Sequence, residues 1–257
     1  MRLSITTYNI FRNWDLATLC AELPRAGVEA VEFRIGAGHK HGVEIATDAA
    51  RRREIRSRLE AAGLVCCSIA TGFRFHFPES EKIEENIAGT RKAIELAADL
   101  GAPFVRVFGN DVPPGSDPAA VAERVGAALA ELGPCAERAG VSVLLEMHGD
   151  FNDWWLNRRA LERANHRAVA CLYNCDERDV VAGSLRSVWY EMKRWIRHIH
   201  FHELTSATYP YAELFRLLAA DGYSGFMSME VSLEGDVAAN LHAQAKEFFR
   251  LKQMALG

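Results

Sequence analysis

The chain has 257 residues, 49% of them hydrophobic and 25% charged, and a formal net charge of −4 at pH 7. That length suits one large α/β barrel or two ordinary domains, and the mildly acidic balance excludes a general binder of nucleic acid or of anionic membranes. The N-terminal MRLSITTYNI has no apolar signal core, no stretch approaches about 18 apolar residues, and six cysteines without a C-x-x-C pair read as small buried hydrophobes, so a cytoplasmic chain with no signal peptide or membrane span is expected.

The first strand-like run, LSITTYN (3–9), leads into helical DLATLCAELPRAG (15–27). AVEFRI (30–35) leads into DAARRREIRSRLEAAG (48–63), whose five arginines, interleaved with Glu54 and Glu60, read as a solvated helix face rather than a phosphate patch. LVCCSIAT (64–71) precedes IEENIAGTRKAIELAADLG (83–101), where Ile83, Ile87, Ile94 and Ala98 form one stripe. FVRVFG (104–109) precedes PAAVAERVGAALAELGPCAERAG (118–140), striped by Val121, Val125, Leu129 and Leu132. VSVLLEMH (141–148) is followed by NRRALERAN (157–165), and AVACLYN (168–174) by SLRSVWYEMKRW (184–195). IRHIHFHE (196–203) is followed by YAELFRLLAADG (211–222), and FMSMEV (226–231) by DVAANLHAQAKEFFRLKQM (236–254). Asp15, Asp48, Asp117 and Asp236 are expected N-caps; Gly27, Gly63, Gly101, Gly140 and Gly222 are expected to close helices.

Eight strand-then-helix units at a period of roughly 32 residues imply parallel strands joined by right-handed crossovers, a (β/α)8 TIM barrel in one domain over residues 1–257. A doubly wound open sheet would carry a glycine-rich turn after its first strand, and TYNIFRNWD has no glycine. Loop-like GAGHKHG (36–42), GNDVPPGSDP (109–118) and HGDFNDWW (148–155) follow strands, on the face where barrel enzymes build their chemistry.

Four successive apolar runs end near Glu146, Asp176, His200 and Glu230. Carboxylates and imidazoles at the converging tips of parallel strands are what a divalent-metal site requires, because such groups are rarely buried unless paired or ligating. The hard, oxygen-rich set with one imidazole suits one ion of Mg²⁺, Mn²⁺, Co²⁺ or Zn²⁺ without choosing among them. Alternation places Leu144, Glu146 and His148 on one strand face, and His198, His200 and His202 on another.

These runs resemble the xylose isomerase-like TIM-barrel superfamily, which holds ketose 3-epimerases, inosose isomerases and dehydratases, hydroxypyruvate isomerase, 3-dehydroshikimate dehydratase and endonuclease IV. VSVLLEMHGDF resembles its fifth-strand Glu-x-His signature, NCDERDVVAG its sixth-strand Asp-x-x-His and HIHFHEL its seventh-strand His-Val-His-Leu-Lys-Asp. DGYSGFMSMEV resembles its eighth-strand Gly-Tyr-x-Gly run ending in Glu, and FVRVFGN the fourth strand of several members. The resemblance implies Glu146, Asp176, His200 and Glu230 as metal ligands. His202 then stands for the usual Lys and Glu203 for the usual Asp; a register two residues along would make His202 the ligand. Asp179 stands where the family has a substrate-holding His, and TSATYPY (205–211) lacks the usual Gly-x-Gly stretch.

The implied chemistry is proton transfer beside a carbonyl, through a metal-stabilised enediolate, by a sugar isomerase or epimerase with Glu146 and Glu230 as the catalytic acids and bases. His148, His202, Arg106 and Asp179 are candidate substrate contacts; Arg106 has the equal alternative of pairing with an inward acid such as Glu32. His39 and His41 fall in the loop after the second strand. Phe73, Phe75, His76, Phe77, Trp154 and Trp155 suit the apolar face of a sugar ring, or equally the packing of loops or of a homo-oligomer interface. The expected partner is a small polyol or sugar, with no nucleic acid and no membrane. A lyase on the same site, dehydrating a keto-inositol or 3-dehydroshikimate, is the alternative. Endonuclease chemistry is disfavoured because Asp179 replaces one further histidine ligand and the chain is acidic, and a binding subunit without turnover is disfavoured by the intact ligand set.

Overall fold

The computed structural model describes residues 1–257. Each apolar run becomes a strand and each is followed by a helix: β1 (Arg2–Thr6), α1 (Leu16–Glu22), β2 (Ala30–Arg34), α2 (Ala49–Ala61), β3 (Val65–Arg74), α3 (Ser80–Leu100), β4 (Phe104–Asn110) and α4 (Pro118–Arg138). The second half repeats the pattern with β5 (Ser142–Gly149), α5 (Trp154–Ala164), β6 (Val169–Asn174), α6 (Arg186–Met192), β7 (Ile196–Phe201), α7 (Tyr211–Ala220), β8 (Phe226–Met229) and α8 (Val237–Leu256). All neighbouring strands are parallel, and β8 returns to β1 through Leu3↔Met227 and Ser4↔Ser228, closing an eight-stranded barrel. The fold is a (β/α)8 barrel, as the alternation of the sequence implies. No helix is long and apolar enough to cross a membrane.

Local signals set the helix limits. Asp15, Asp48, Asp117 and Asp236 each accept a backbone N–H of the helix they precede, from Thr18, Arg51, Ala119 and Ala239. The five expected glycines all adopt the left-handed conformation that closes a helix. Two boundaries differ from expectation. The first helix stops at Glu22 and a short 3-10 turn covers Pro24–Ala26, because a proline at that point removes a backbone donor. The fifth begins at Trp154, because Asp153 caps it by accepting the Trp155 N–H; the two tryptophans therefore lie in a helix rather than a loop.

The main core, a cluster of 70 buried residues, fills the space between the strands and the helices. Inside the barrel, small apolar clusters (Ala30, Cys67 and Phe226; Leu144, Ala170 and Leu172) occupy the end nearer the strand starts. Above them the inner face turns polar. Ser4, Ser228, His200 and Asn174 follow one another around the wall through direct register pairs, and Glu32, Arg106 and Glu146 project among them. Aliphatic residues normally fill such layers, so this wall is built for charge at some cost in packing.

A candidate active site at the mouth of the barrel

His200 is the centre. Its Nε2 faces the Glu32 carboxylate at 2.9 Å, while its Nδ1 lies 3.3 Å from Glu146 Oε1 and 3.3 Å from Glu230 Oε2. Glu32 also receives His198 Nε2 at 2.7 Å and the Ser228 hydroxyl at 3.2 Å, and Ser228 is bonded to Ser4 at 2.8 Å. Glu32 is thus fully engaged, whereas His200 Nδ1 and Glu146 Oε2 are buried without a hydrogen-bond partner. Asn174 donates its Nδ2–H to Glu146 Oε1 at 2.9 Å. Arg106 Nε lies 3.0 Å from Glu146 Oε2, in an ion pair whose alignment leaves the guanidinium Nε and Nη1 unbonded.

The electrostatics follow from this crowding. Burial pushes the Glu32 carboxyl up, but His200 and His198 outweigh it and hold it well below the usual carboxylate range. Burial likewise pushes Glu146 up, and the Arg106 guanidinium and His200 reverse the effect, keeping it ionised. Burial pulls His200 down, but Glu32, Glu230 and Glu146 together hold it well above the ordinary imidazole range. Three carboxylates around one imidazole favour positive charge at this point, and a metal cation would meet the same preference.

Two groups could hold a cation: Glu146, His200 and Glu230, or Glu32, His198 and His200, each with its ligating atoms within 4.8 Å of one another. The first fits better. His200 Nδ1 has no hydrogen-bond partner and faces both glutamates at 3.3 Å, while Glu32 already receives both imidazoles and a hydroxyl. In that arrangement Glu32 orients the imidazole from behind, as carboxylates do for metal-bound histidines.

A cavity of about 500 Å³ opens over this cluster, lined among others by Asn9, His148, Asn174, Asp176, His202 and Glu230. His148 contacts Asn110 Oδ1 through Nδ1 at 3.0 Å and packs on Phe108, and His202 Nδ1 lies 2.8 Å from the Glu230 carbonyl. Asp176 lines the same cavity, but Arg178 grips its carboxylate from Nε and Nη2, both at 2.9 Å. That grip and the backbone N–H of Arg178 hold the Asp176 carboxyl below its usual range despite some burial. Asp179 is buried and turned away: it accepts the Asp176 N–H at 3.1 Å and Asn152 Nδ2 at 3.3 Å. It borders a second cavity of about 770 Å³, lined by Trp154, Trp155 and Val181, with Arg178 standing between the two spaces. Burial raises the Asp179 carboxyl to about 7. Glycine is required at position 149, where φ is +62° and a Cβ would meet the Asn110 carbonyl oxygen at 2.6 Å.

The structure therefore gathers Glu146, His200 and Glu230, sets Asp176, His148 and His202 around their cavity, and leaves Asp179 outside it. Arg106 pairs with Glu146, while the other inward acid, Glu32, pairs with His198 and His200. His41 is a structural residue: its Nε2 lies 3.1 Å from the Arg34 carbonyl and its Nδ1 accepts the Val43 N–H at 3.0 Å. Phe75 is fully buried in the core rather than part of a sugar-facing wall. Asn174 and the orienting role of Glu32 were not anticipated. The signal was present in the alternation of both strands, since an acid at the centre of AVEFR and an amide at the end of VACLYN must each face inward.

The family model for the xylose isomerase-like TIM barrel matches residues 20–251, and the chain belongs to that family. No curated protein matches it. Among solved structures, a D-psicose 3-epimerase crystallised in the presence of D-fructose superposes with a TM-score of 0.83 at 13% identity, covering 100% of both chains. An L-ribulose 3-epimerase gives 0.80 at 18% identity over 99% of this chain and 94% of the other. The IOLI protein with a bound zinc atom gives 0.78 at 13% identity over 100% and 98%. At these identities the likeness is one of fold.

Proposed function

We propose that this protein is a divalent-metal-dependent isomerase or epimerase of a sugar or related polyhydroxy carbonyl compound. The observation that carries the reading is the pair of glutamates, Glu146 and Glu230, each 3.3 Å from the unpartnered His200 Nδ1, with an open polar cavity over them. A cation held by Glu146, His200 and Glu230, with Asp176 as a fourth donor, would polarise the substrate carbonyl when bound.

The chain's own groups account for the proton transfers. One glutamate removes the proton from the carbon beside the carbonyl, and the electron pair of that C–H bond passes into an enediolate. The other glutamate returns a proton. Return to the opposite face of the same carbon gives the epimer; return to the neighbouring carbon, with the hydroxyl proton passing from its oxygen to the former carbonyl oxygen, gives the aldose–ketose isomer. Asn174 and Arg106 fix the Glu146 carboxylate in one orientation, which general acid–base catalysis needs because reach decides before basicity does. His148 and His202 face the cavity, where they can bond substrate hydroxyls.

The test is exchange in D₂O. Manganese-loaded protein, offered ketoses, inososes and 3-dehydroshikimate in turn, should place deuterium on a carbon next to the carbonyl of at least one. Glu146→Gln and Glu230→Gln should each slow that exchange by roughly 10²–10⁴-fold. A product short of one water would assign the site to a lyase. Exchange with none of these compounds, nor with ketose phosphates or 2-keto sugar acids, would remove the proposal.

A further inference from the structure

Strands β2, β3 and β4 concentrate positive charge that the proton-transfer reading does not use. Arg34 pairs in register with Ala70, and Ala70 with Arg106. Paired residues of parallel strands share a face, so two guanidinium groups project from the inner wall with only an alanine between them. Gly72, the next residue of β3 on that face, leaves the space that the Arg34 guanidinium occupies: a Cβ there would lie 3.3 Å from Arg34 Nη2. Arg106 is 4% exposed and stacks 4.0 Å above the Phe108 ring, which fixes the plane of its guanidinium. Its one carboxylate is Glu146, met through Nε, and its Nη1 remains buried without a partner. Arg34 is half-buried and forms no ion pair; its guanidinium bonds only the carbonyl of its neighbour Ile35. The nearby acid Glu44 is turned towards the Gly36 N–H at 2.7 Å. Burying cations without full pairing is unfavourable, and these two also repel each other.

We propose that Arg34 and Arg106 form a subsite for an anionic oxygen group of the substrate, a carboxylate or a phosphate, so that the protein acts on an acidic rather than a neutral polyhydroxy carbonyl compound. This rests on the isomerase reading above and narrows its substrate class. Arginine suits the task because its planar fork matches carboxylate and phosphate oxygens in pairs. The chain as a whole carries −4, so attraction for an anion must come from such a local pair rather than from net charge.

Calorimetric titration of the intact protein with glycerate, inorganic phosphate and uncharged glycerol tests the subsite and separates its two anion chemistries. At least one anion should bind, and bind ~10-fold or more weakly to Arg34→Gln, with glycerol unaffected. Arg34→Lys should fall between, and it serves as the variant if Arg34→Gln does not fold. In D₂O, 2-keto sugar acids or ketose phosphates should exchange a carbon-bound proton faster than neutral ketoses, and Arg34→Gln should raise their KM more than it lowers kcat. Equal anion binding by wild type and Arg34→Gln, or exchange confined to neutral ketoses, would overturn the subsite and leave the isomerase reading intact. Anion binding that depends on Arg34, with no exchange in either class, would keep the subsite and remove the isomerase reading.

Discussion

At the scale of single residues, Glu32 decides what His200 can do. By occupying Nε2 it leaves Nδ1 as the nitrogen that faces Glu146 and Glu230. Glu32→Gln keeps the shape of the side chain and removes the charge that makes this orientation firm. Changing the carboxylate that orients a metal-bound histidine weakens metal binding by roughly 10–100-fold. Calorimetric titration with Mn²⁺ should show that loss, and an unchanged affinity would mean that the ion sits elsewhere. Asp176 is the residue whose role depends most on a neighbour. Its carboxylate can join a cation only by sharing or leaving the Arg178 fork that now holds it. The sequence singled out Glu146, His200 and Glu230, which the barrel brings within 3.3 Å contacts, because each ends an apolar run where packing gives an acid or imidazole no reason to be. It could not show that Asp179 faces the neighbouring cavity, because that direction is set by a turn in which Asp176 and Asp179 cap each other's backbone.

At the scale of elements, local chemistry was legible and loop architecture was not. Caps and left-handed glycines depend on residues three or four positions apart, so reading along the chain finds them. The loop between β2 and α2 shows the contrary case. Its histidines look like mouth residues by position, yet His41 is 2% exposed and ties the loop to Arg34 and Val43. Burial pulls its pKa down to about 4, a shift that the Arg34 carbonyl only partly offsets. Its unfolded value is near 6.5, so the unfolded chain binds the proton more readily. The stability that neutral His41 contributes is therefore complete above about pH 6.5 and is lost as pH falls towards 4, by up to about 3 kcal/mol. The fall in urea midpoint between pH 7.5 and pH 4.5 should accordingly be smaller in His41→Gln than in wild type. Equal falls would show that His41 protonates freely in the folded loop.

At the scale of the whole molecule, the barrel brings together what the sequence keeps far apart. Glu32 and His198 are separated by 166 positions and Glu32 and His200 by 168, yet they bond directly. Periodicity revealed that eight strands would form a closed parallel ring and which residues would face inward. It did not reveal which inward residues would meet, since that depends on how the side chains reach across the ring. Arg34 and Glu32 share the face of one strand, yet Glu32 meets His198 and His200 while Arg34 forms no ion pair. The proposed function stands on one cation position, between Glu146, His200 Nδ1 and Glu230, and anomalous diffraction at the manganese edge from Mn²⁺-soaked crystals tests it most directly. A single peak bonded to those three groups, with Asp176 swung from Arg178 to join them, is the predicted result. A peak among Glu32, His198 and His200, or none at the mouth of the barrel at saturating Mn²⁺, would contradict it.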